Sequence, residues 1–226
     1  MLADDARQAI ELLQSRWHGF SDLRTLAALE LTRGQERRAF HGVLLVQAPA
    51  SMRFEALSPF GQPLLVVVIH EGQILAYDAS LHQALMGPAT ADTAARLLGL
   101  PFEPAELIGV LAGRPRPPDE VRRARFLPTD DHGRSLELTG ASRQLQVWMD
   151  FETGLVSRLE ISGGRSEVHV TYQHDPGGQP VGFDLGVARN FFTGAVRYRD
   201  PVFDTGIDPE RFRFTVPEGT KIQQLR

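Results

Sequence analysis

The spacing of apolar residues changes along the chain, and each change marks an element. Ala6, Ile10, Leu13 and Trp17 are separated by four, three and four positions, the stripe of one helix face. Asp4 and Asp5 suit the first turn of that helix, where backbone N–H groups lack partners, and Gly19 ends it. From there the period falls to two. Residues 23–33 place Leu23, Thr25, Ala27, Leu29 and Leu31 on one face of a strand, and Gly34-Gln35 turns the chain into a second strand at residues 37–47. A third, at residues 51–57, alternates Met52, Phe54 and Ala56 with Arg53 and Glu55. Residues 64–70 form a fourth, rich in β-branched side chains; Glu71-Gly72 is a turn, and residues 73–78 a short fifth strand.

Two helices interrupt this run. Thr90 caps the first, with Ala94, Leu97 and Leu98 inside and Gly99 and Pro101 as its stop. Pro104 opens the second, which carries Leu107, Ile108 and Leu111 on one side and stops at Gly113. Arg114-Pro115-Arg116-Pro117-Pro118 follows as a stiff, extended connector, a hinge candidate without the features of a domain boundary. Strands resume at residues 134–139, 144–151, 155–161, 165–173, 180–187 and 191–199. They are separated by turn signals at Asp150-Phe151-Glu152-Thr153-Gly154, Gly163-Gly164 and Asp175-Pro176-Gly177-Gly178. The tail, from Phe212 to Pro217, alternates Phe212, Phe214 and Val216 and reads as a short edge strand. Strands adjacent in sequence and joined by short turns make an antiparallel meander.

The expected fold class is therefore α+β, mainly β: one open antiparallel sheet of about ten or eleven strands with three short helices as a lid, in a single domain over residues 1–226. Three short helices are little cover for a sheet of that size. Apolar candidates for a cavity lining are Phe40, Leu44, Val46, Phe54, Leu65, Val67, Leu75, Val147 and Met149 on the strands, with Leu97, Leu107 and Leu111 on the lid helices. The alternative for each of them is an ordinary core position.

Composition narrows the function more than the fold. A net charge of −4 speaks against a nucleic-acid scaffold, and the absence of cysteine excludes disulfides and zinc–thiolate sites. The longest apolar run, Leu64 to Ile69, is too short to cross a bilayer, and Met1 to Arg7 lacks the basic start and apolar stretch of an export signal. None of the seven histidines has metal-ligand spacing; Asp130-Asp131-His132-Gly133 and His174-Asp175 read as solvated turns. Ser162-Gly163-Gly164-Arg165-Ser166 resembles an anion cradle but is not followed by a helix, so it reads as a hairpin turn. Glu103 and Glu106 sit at a helix start, where the macrodipole accounts for them. Nothing assembles a nucleophile, a base and an orienting group, so no catalytic residue, metal or cofactor is expected and the chain reads as a non-enzyme.

Four stretches together resemble the LolA/LolB-like lipoprotein carrier and receptor superfamily. They are Leu57-Ser58-Pro59-Phe60-Gly61-Gln62-Pro63-Leu64; Leu97 to Leu107 with its Gly99-Leu100-Pro101 break, continuing to Val110-Leu111-Ala112-Gly113-Arg114-Pro115; the Asp150 to Leu155 hairpin; and the Phe212 to Gly219 tail. The resemblance implies a half-barrel of about eleven strands with lid helices over an apolar cavity. It implies binding of lipoprotein acyl chains or lipid for lipoprotein localisation to the outer membrane, and a membrane-insertion loop at Pro59, Phe60 and Gly61. The partners it implies are those acyl chains, a LolA-like carrier and the inner surface of the outer membrane, for a monomer that binds no nucleic acid. It implies a periplasmic place, with anchoring by an N-terminal lipid that would lie outside this cysteine-free sequence. Receptor, carrier and lipid-responsive accessory protein stay open, as does a periplasmic interaction or sensor module of the same fold without lipid cargo.

Overall fold

A computed structural model of the chain describes residues 4–163, 166–188 and 192–225. In chain order the described elements are α1 (Asp4–His18), β1 (Asp22–Arg33), β2 (Glu36–Gln47), β3 (Ser51–Leu57), β4 (Pro63–His70), β5 (Gln73–Asp78), β6 (Gln83–Pro88), α2 (Ala91–Leu98), α3 (Pro104–Ala112), β7 (Arg123–Asp130), β8 (Gly133–Thr139), β9 (Gln144–Met149), β10 (Val156–Gly163), β11 (Ser166–His174), β12 (Pro180–Val187), β13 (Phe192–Phe203) and β14 (Lys221–Gln224), with a 3-10 turn at Pro209–Phe212. Hydrogen bonds order the strands β14-β6-β5-β4-β3-β2-β1-β13-β12-β11-β10-β9-β8-β7, an open sheet whose end strands have one neighbour each. Among the described residues the protein is mainly β with three α-helices, as its residue pattern predicts. The chain divides into two compact units: Met1–Phe20, Leu31–Arg37 and Gly113–Val196 form one, and Ser21–Glu30, Arg38–Ala112 and Arg197–Arg226 the other.

In the first unit, α1 buries the predicted stripe Ala6, Ile10, Leu13 and Trp17, with Ala9. It packs beside β7 and over the turn at Gly154, where an added Cβ would press on Leu12 and Arg16. Cross-strand register builds two apolar rows on one sheet face: Leu136, Val147, Leu159, Val170 and Leu185, then Leu138, Leu145, Ile161, Val168 and Val187. The opposite face is a polar ladder. Arg125 pairs with Glu137, which also accepts from Gln144 Nε2 at 2.7 Å, and Arg158 pairs with Glu160. One face buried and one charged is the economical state of an antiparallel sheet.

The second unit buries both faces of β4, β5 and the end of β2. Leu44, Phe54 and Val67 are in register on one face, followed by Val46, Met52, Ile69, Ile74 and Gly87. The helices cover that side: an added Cβ at Gly87 would meet Thr93 of α2, and Tyr198 Oη donates to the Leu111 carbonyl of α3 at 2.6 Å. Thr90 and the left-handed Gly99 cap α2 as the sequence predicts. On the other face Val66, Val68, Leu75, Tyr77 and Ala84 form a cluster under Phe214 and Val216, and Leu45 packs with Ile207 and Phe212. The C-terminal segment is thus a second cover. Arg53 fastens it, donating from Nη1 to the carbonyls of Arg211 (2.8 Å) and Arg213 (2.7 Å), and His70 stacks on Phe212.

The strand inventory needs three corrections. There are fourteen strands among the described residues, not about eleven, because β6, β7 and β14 carry no clean alternation. The sheet is not antiparallel throughout, since β14 runs parallel to β6. The predicted edge strand at the tail is a 3-10 turn followed by extended chain lying on the sheet face; the strand of this region is β14, further along. The tip of the Gly163-Gly164 turn, residues 164–165, and residue 191 lie outside the described residues.

Two buried polar groups generate predictions. Asp22, 1% exposed, accepts from Ser21 Oγ (2.7 Å), Thr205 N (3.2 Å) and Gly206 N (2.9 Å), and so ties the chain after β13 to β1. Asp22→Ala strands these donors and should lower unfolding free energy by about 2 kcal/mol in urea titrations, with Asp22→Asn losing less because it keeps an acceptor oxygen. In the first unit His174 Nε2 is buried with no hydrogen-bond partner. Burial, reinforced by the Arg16 charge and opposed by Asp175, holds its imidazole below the ordinary histidine range. The unfolded chain therefore binds a proton that the native state refuses, and stability should fall as pH drops below about 6.5. In thermal melts at stepped pH, His174→Leu should remove that part of the decline.

Candidate functional site

The second unit carries an open groove of about 590 Å³. It crosses five strands that are neighbours in the sheet, β4, β3, β2, β1 and β13. At the β4–β3 end its walls are Leu64, Leu57, Ser58 and Pro59; in the middle they are Leu26, Ala28, Ala39, Phe40 and His41; at the β13 end they are Arg197 and Arg199. Ala27, Gly42, Ala56 and Tyr198 are its buried members. At Gly42 a Cβ would overlap the Glu55 carbonyl, so only glycine lets the two strands approach this closely. Tyr198 reaches towards α3, so Arg197 and Arg199, one position away on either side, project from the opposite face. Leu64 shares the face of Val66 and Val68, also away from the helices. These groove residues therefore stand on the side that the C-terminal segment covers elsewhere.

Leu26 and Leu64 are 47% and 46% exposed in the groove wall, and Phe60, just beyond Pro59, is 92% exposed. The loop that presents Phe60 is ordered by its own hydrogen bonds. Ser58 N donates to the Gln62 carbonyl and Gly61 N to the Ser58 carbonyl, while Ser58 Oγ accepts from Phe60 N (3.2 Å) and Gln62 N (3.1 Å). Gly61 supplies the positive φ, +77°, that closes the turn. The ring is thus held outward by local backbone geometry, at the apolar end of the groove.

The residues expected to line a cavity are distributed as follows. Phe40 lines the groove. Leu44, Val46, Phe54, Val67, Leu107 and Leu111 are buried in the second unit's core, with Leu65 and Leu97 half-buried. Leu75 lies in the cluster beneath Phe214 and Val216. Val147 and Met149 are buried in the first unit. Pro59, Phe60 and Gly61 form the loop just described. The sequence reading missed Leu26, Ala28, Ala39, Leu57, Leu64, Arg197 and Arg199. The signal available for them was the run of small residues, Ala27-Ala28 and Ala39, on strands otherwise built from larger side chains.

Other polar clusters are structural. Asp130 accepts from the Trp148 indole (3.1 Å) and from His132 N (2.8 Å). Desolvation would raise its carboxyl, but the hydrogen bonds from His132 and Trp148 and the charges of His132 and Arg158 hold it below the usual carboxylate range. The Arg158 guanidinium lies 5.3 Å from the centre of the Trp148 ring. Among the described residues no three His, Asp or Glu side chains are grouped to hold a metal ion. No helix among them is long and apolar enough to cross a membrane.

No family model matches the chain, and no curated protein matches it. Solved structures do. A LolA-superfamily protein from Nitrosomonas europaea has a TM-score of 0.61 at 14% identity, covering 94% of this chain and 99% of that one. A putative outer-membrane lipoprotein-sorting protein domain from Vibrio parahaemolyticus has a TM-score of 0.60 at 14% identity, covering 92% and 97%. A DUF1329 family protein from Desulfovibrio piger has a TM-score of 0.60 at 11% identity, covering 93% and 98%. The fold is that of the LolA/LolB-like superfamily. At such identities the likeness extends to the fold alone.

The loop geometry yields a prediction. Ser58→Ala removes the acceptor shared by the Phe60 and Gln62 amides, a loss of about 1 kcal/mol to local opening. Hydrogen exchange at those two amides should accelerate by about fivefold, while the Val66 and Val68 amides keep their rates.

Proposed function

We propose that this protein is a non-enzymatic acceptor of acyl chains, taking the hydrocarbon of a lipid or lipoprotein at a membrane surface. One observation carries the reading: an open, largely apolar groove of about 590 Å³ runs directly into a loop whose phenylalanine is 92% exposed. The volume lies within the range of small-molecule sites. Burying a methylene is worth about 0.8 kcal/mol, so a 16-carbon chain carries roughly 13 kcal/mol gross and does not cross water unshielded at a useful rate. An apolar wall beside a membrane-seeking ring meets that need without an energy source. Phe60 dips into the interface, and the groove receives the chain drawn from it.

The fold supports a place in the bacterial envelope, and the lipoprotein-sorting domain among its structural neighbours makes lipoprotein localisation the natural form of the activity. On this reading the protein works at the outer membrane from the periplasmic side, with a LolA-like carrier as donor.

Phe60→Glu tests the loop. Removing the ring and adding a charge forfeits about 1.5 kcal/mol or more of interfacial burial. Sedimentation with phospholipid vesicles should show membrane partition reduced about tenfold with unchanged melting. Unchanged partition would remove the loop from the mechanism.

A further inference from the structure

We infer that Leu81 is a second membrane-contact residue, and that the end of the second unit's sheet carrying Leu81 and Phe60 rests on a lipid bilayer at two points. This rests on the membrane contact proposed for Phe60 and extends it to the neighbouring hairpin. Among the described residues six large apolar side chains are exposed: Leu26, Phe60, Leu64, Leu81, Val202 and Ile222. Four of them lie at one end of this sheet. Leu64 follows the Phe60 loop at the start of β4, Leu81 stands in the turn between β5 and β6, and Ile222 is at the start of β14. Register brings these places together, since Leu57 pairs with Pro63, Leu65 with Asp78, Asp78 with Gln83, and Gln83 with Lys221. A single exposed leucine needs no explanation, but a cluster confined to one end does.

Leu81, 62% exposed, is held outward as Phe60 is, by the hydrogen bonds of its own turn. Asp78 Oδ1 accepts from Ser80 N (2.9 Å), Ser80 Oγ (2.6 Å) and Leu81 N (3.2 Å). Ala79 N donates to the Leu64 carbonyl at 3.0 Å and ties the base of this turn to the strand that leaves the Phe60 loop. The two hairpins are centred about 10 Å apart, two inter-strand spacings. Two convex tips at that separation suit a flat, deformable surface, whereas a protein partner would need a matching pocket for each. Both turns are already ordered, so insertion loses little conformational entropy. The charges agree with a bilayer. Residues 58–64 and 79–84 contain no carboxylate, and Asp78 is engaged by its own turn. Lys221, the sole lysine of the chain, stands beside them, its backbone N–H on the His82 carbonyl at 2.9 Å. A lysine so placed keeps its ammonium at headgroup level while apolar neighbours go deeper. At the opposite end of the same strands the β4–β5 turn presents Glu71 instead. The apolar end of the groove, Leu57, Pro59 and Leu64, lies at the proposed contact, where a chain leaving the bilayer would enter.

The chain has no cysteine, so single-cysteine variants of the full protein carry one dye each. Phe60→Cys, Leu81→Cys and, at the opposite end, Gln73→Cys are labelled with an NBD dye. Each is titrated with vesicles of phosphatidylethanolamine and phosphatidylglycerol, with and without a nitroxide-bearing phospholipid. The dyes on the Phe60→Cys and Leu81→Cys variants should brighten severalfold and be quenched by the nitroxide, and that on Gln73→Cys should do neither. In sedimentation with the same vesicles Leu81→Glu should lower partition about fivefold with unchanged melting, and its loss should multiply with that of Phe60→Glu. A response from Phe60→Cys without one from Leu81→Cys, or unchanged partition of Leu81→Glu, overturns the inference and leaves the Phe60 contact standing. A Gln73→Cys response equal to that of Leu81→Cys overturns it as well, because binding then has no preferred end. No response from either loop variant overturns both readings.

Discussion

The constraint on which the second unit depends is that β4, β5 and the end of β2 are apolar on both faces. Leu44 and Val46 point one way from β2, and Val43 and Leu45 the other. Such a sheet is stable in water only if it is covered twice. Helices α2 and α3 supply one cover, and the C-terminal segment, carrying Ile207, Phe212, Phe214 and Val216, supplies the second. The first unit escapes the requirement, because the face opposite its apolar rows is laced with Arg–Glu pairs. The groove follows from this difference. It lies where residues of the tail-side face, Leu64 and Leu26 among them, extend beyond the clusters that the C-terminal segment buries, so apolar wall is left open to solvent.

What covers a sheet is harder to read from sequence than the sheet itself. The strands β1 to β5 are legible because strict alternation in segments such as Met52-Arg53-Phe54-Glu55-Ala56 admits one structure. β6 is interrupted by Gly87 and Pro88, and β7 by Pro128, residues that mark strands only at edges and bulges. β14, Lys221–Gln224, is exposed along its length and exists because β6 offers a free edge, a partner far away in the chain. The tail shows the opposite failure. Phe212, Phe214 and Val216 alternate as a strand should, but period two says only that the chain is extended with one apolar side. Here that side lies flat on the sheet, against Tyr77 and His70, and forms no ladder.

The candidate site was legible in the same uneven way. An aromatic between Pro59 and Gly61 has no route to the core, and the structure holds it out. The groove was not legible, because its walls come from strands separated by more than a hundred residues and its middle is made of alanines, whose importance is the space they leave. The large apolar residues that sequence reasoning favours, such as Leu44, Phe54 and Leu107, are core here because bulk attracts packing. On the proposed reading, the acyl-binding wall is therefore made by small residues at the edge of the second unit, not by its largest apolar side chains.

In the proposed function, hydrocarbon occupies this groove and not the space beneath the helices. Methyl NMR of the full chain, titrated with a stearic acid bearing a nitroxide on its chain, separates the two. Paramagnetic broadening of the Leu26, Leu57 and Leu64 methyls is expected, with those of Leu44, Leu107 and Leu111 unaffected. Broadening confined to the methyls under α3, or none at the groove, would contradict it.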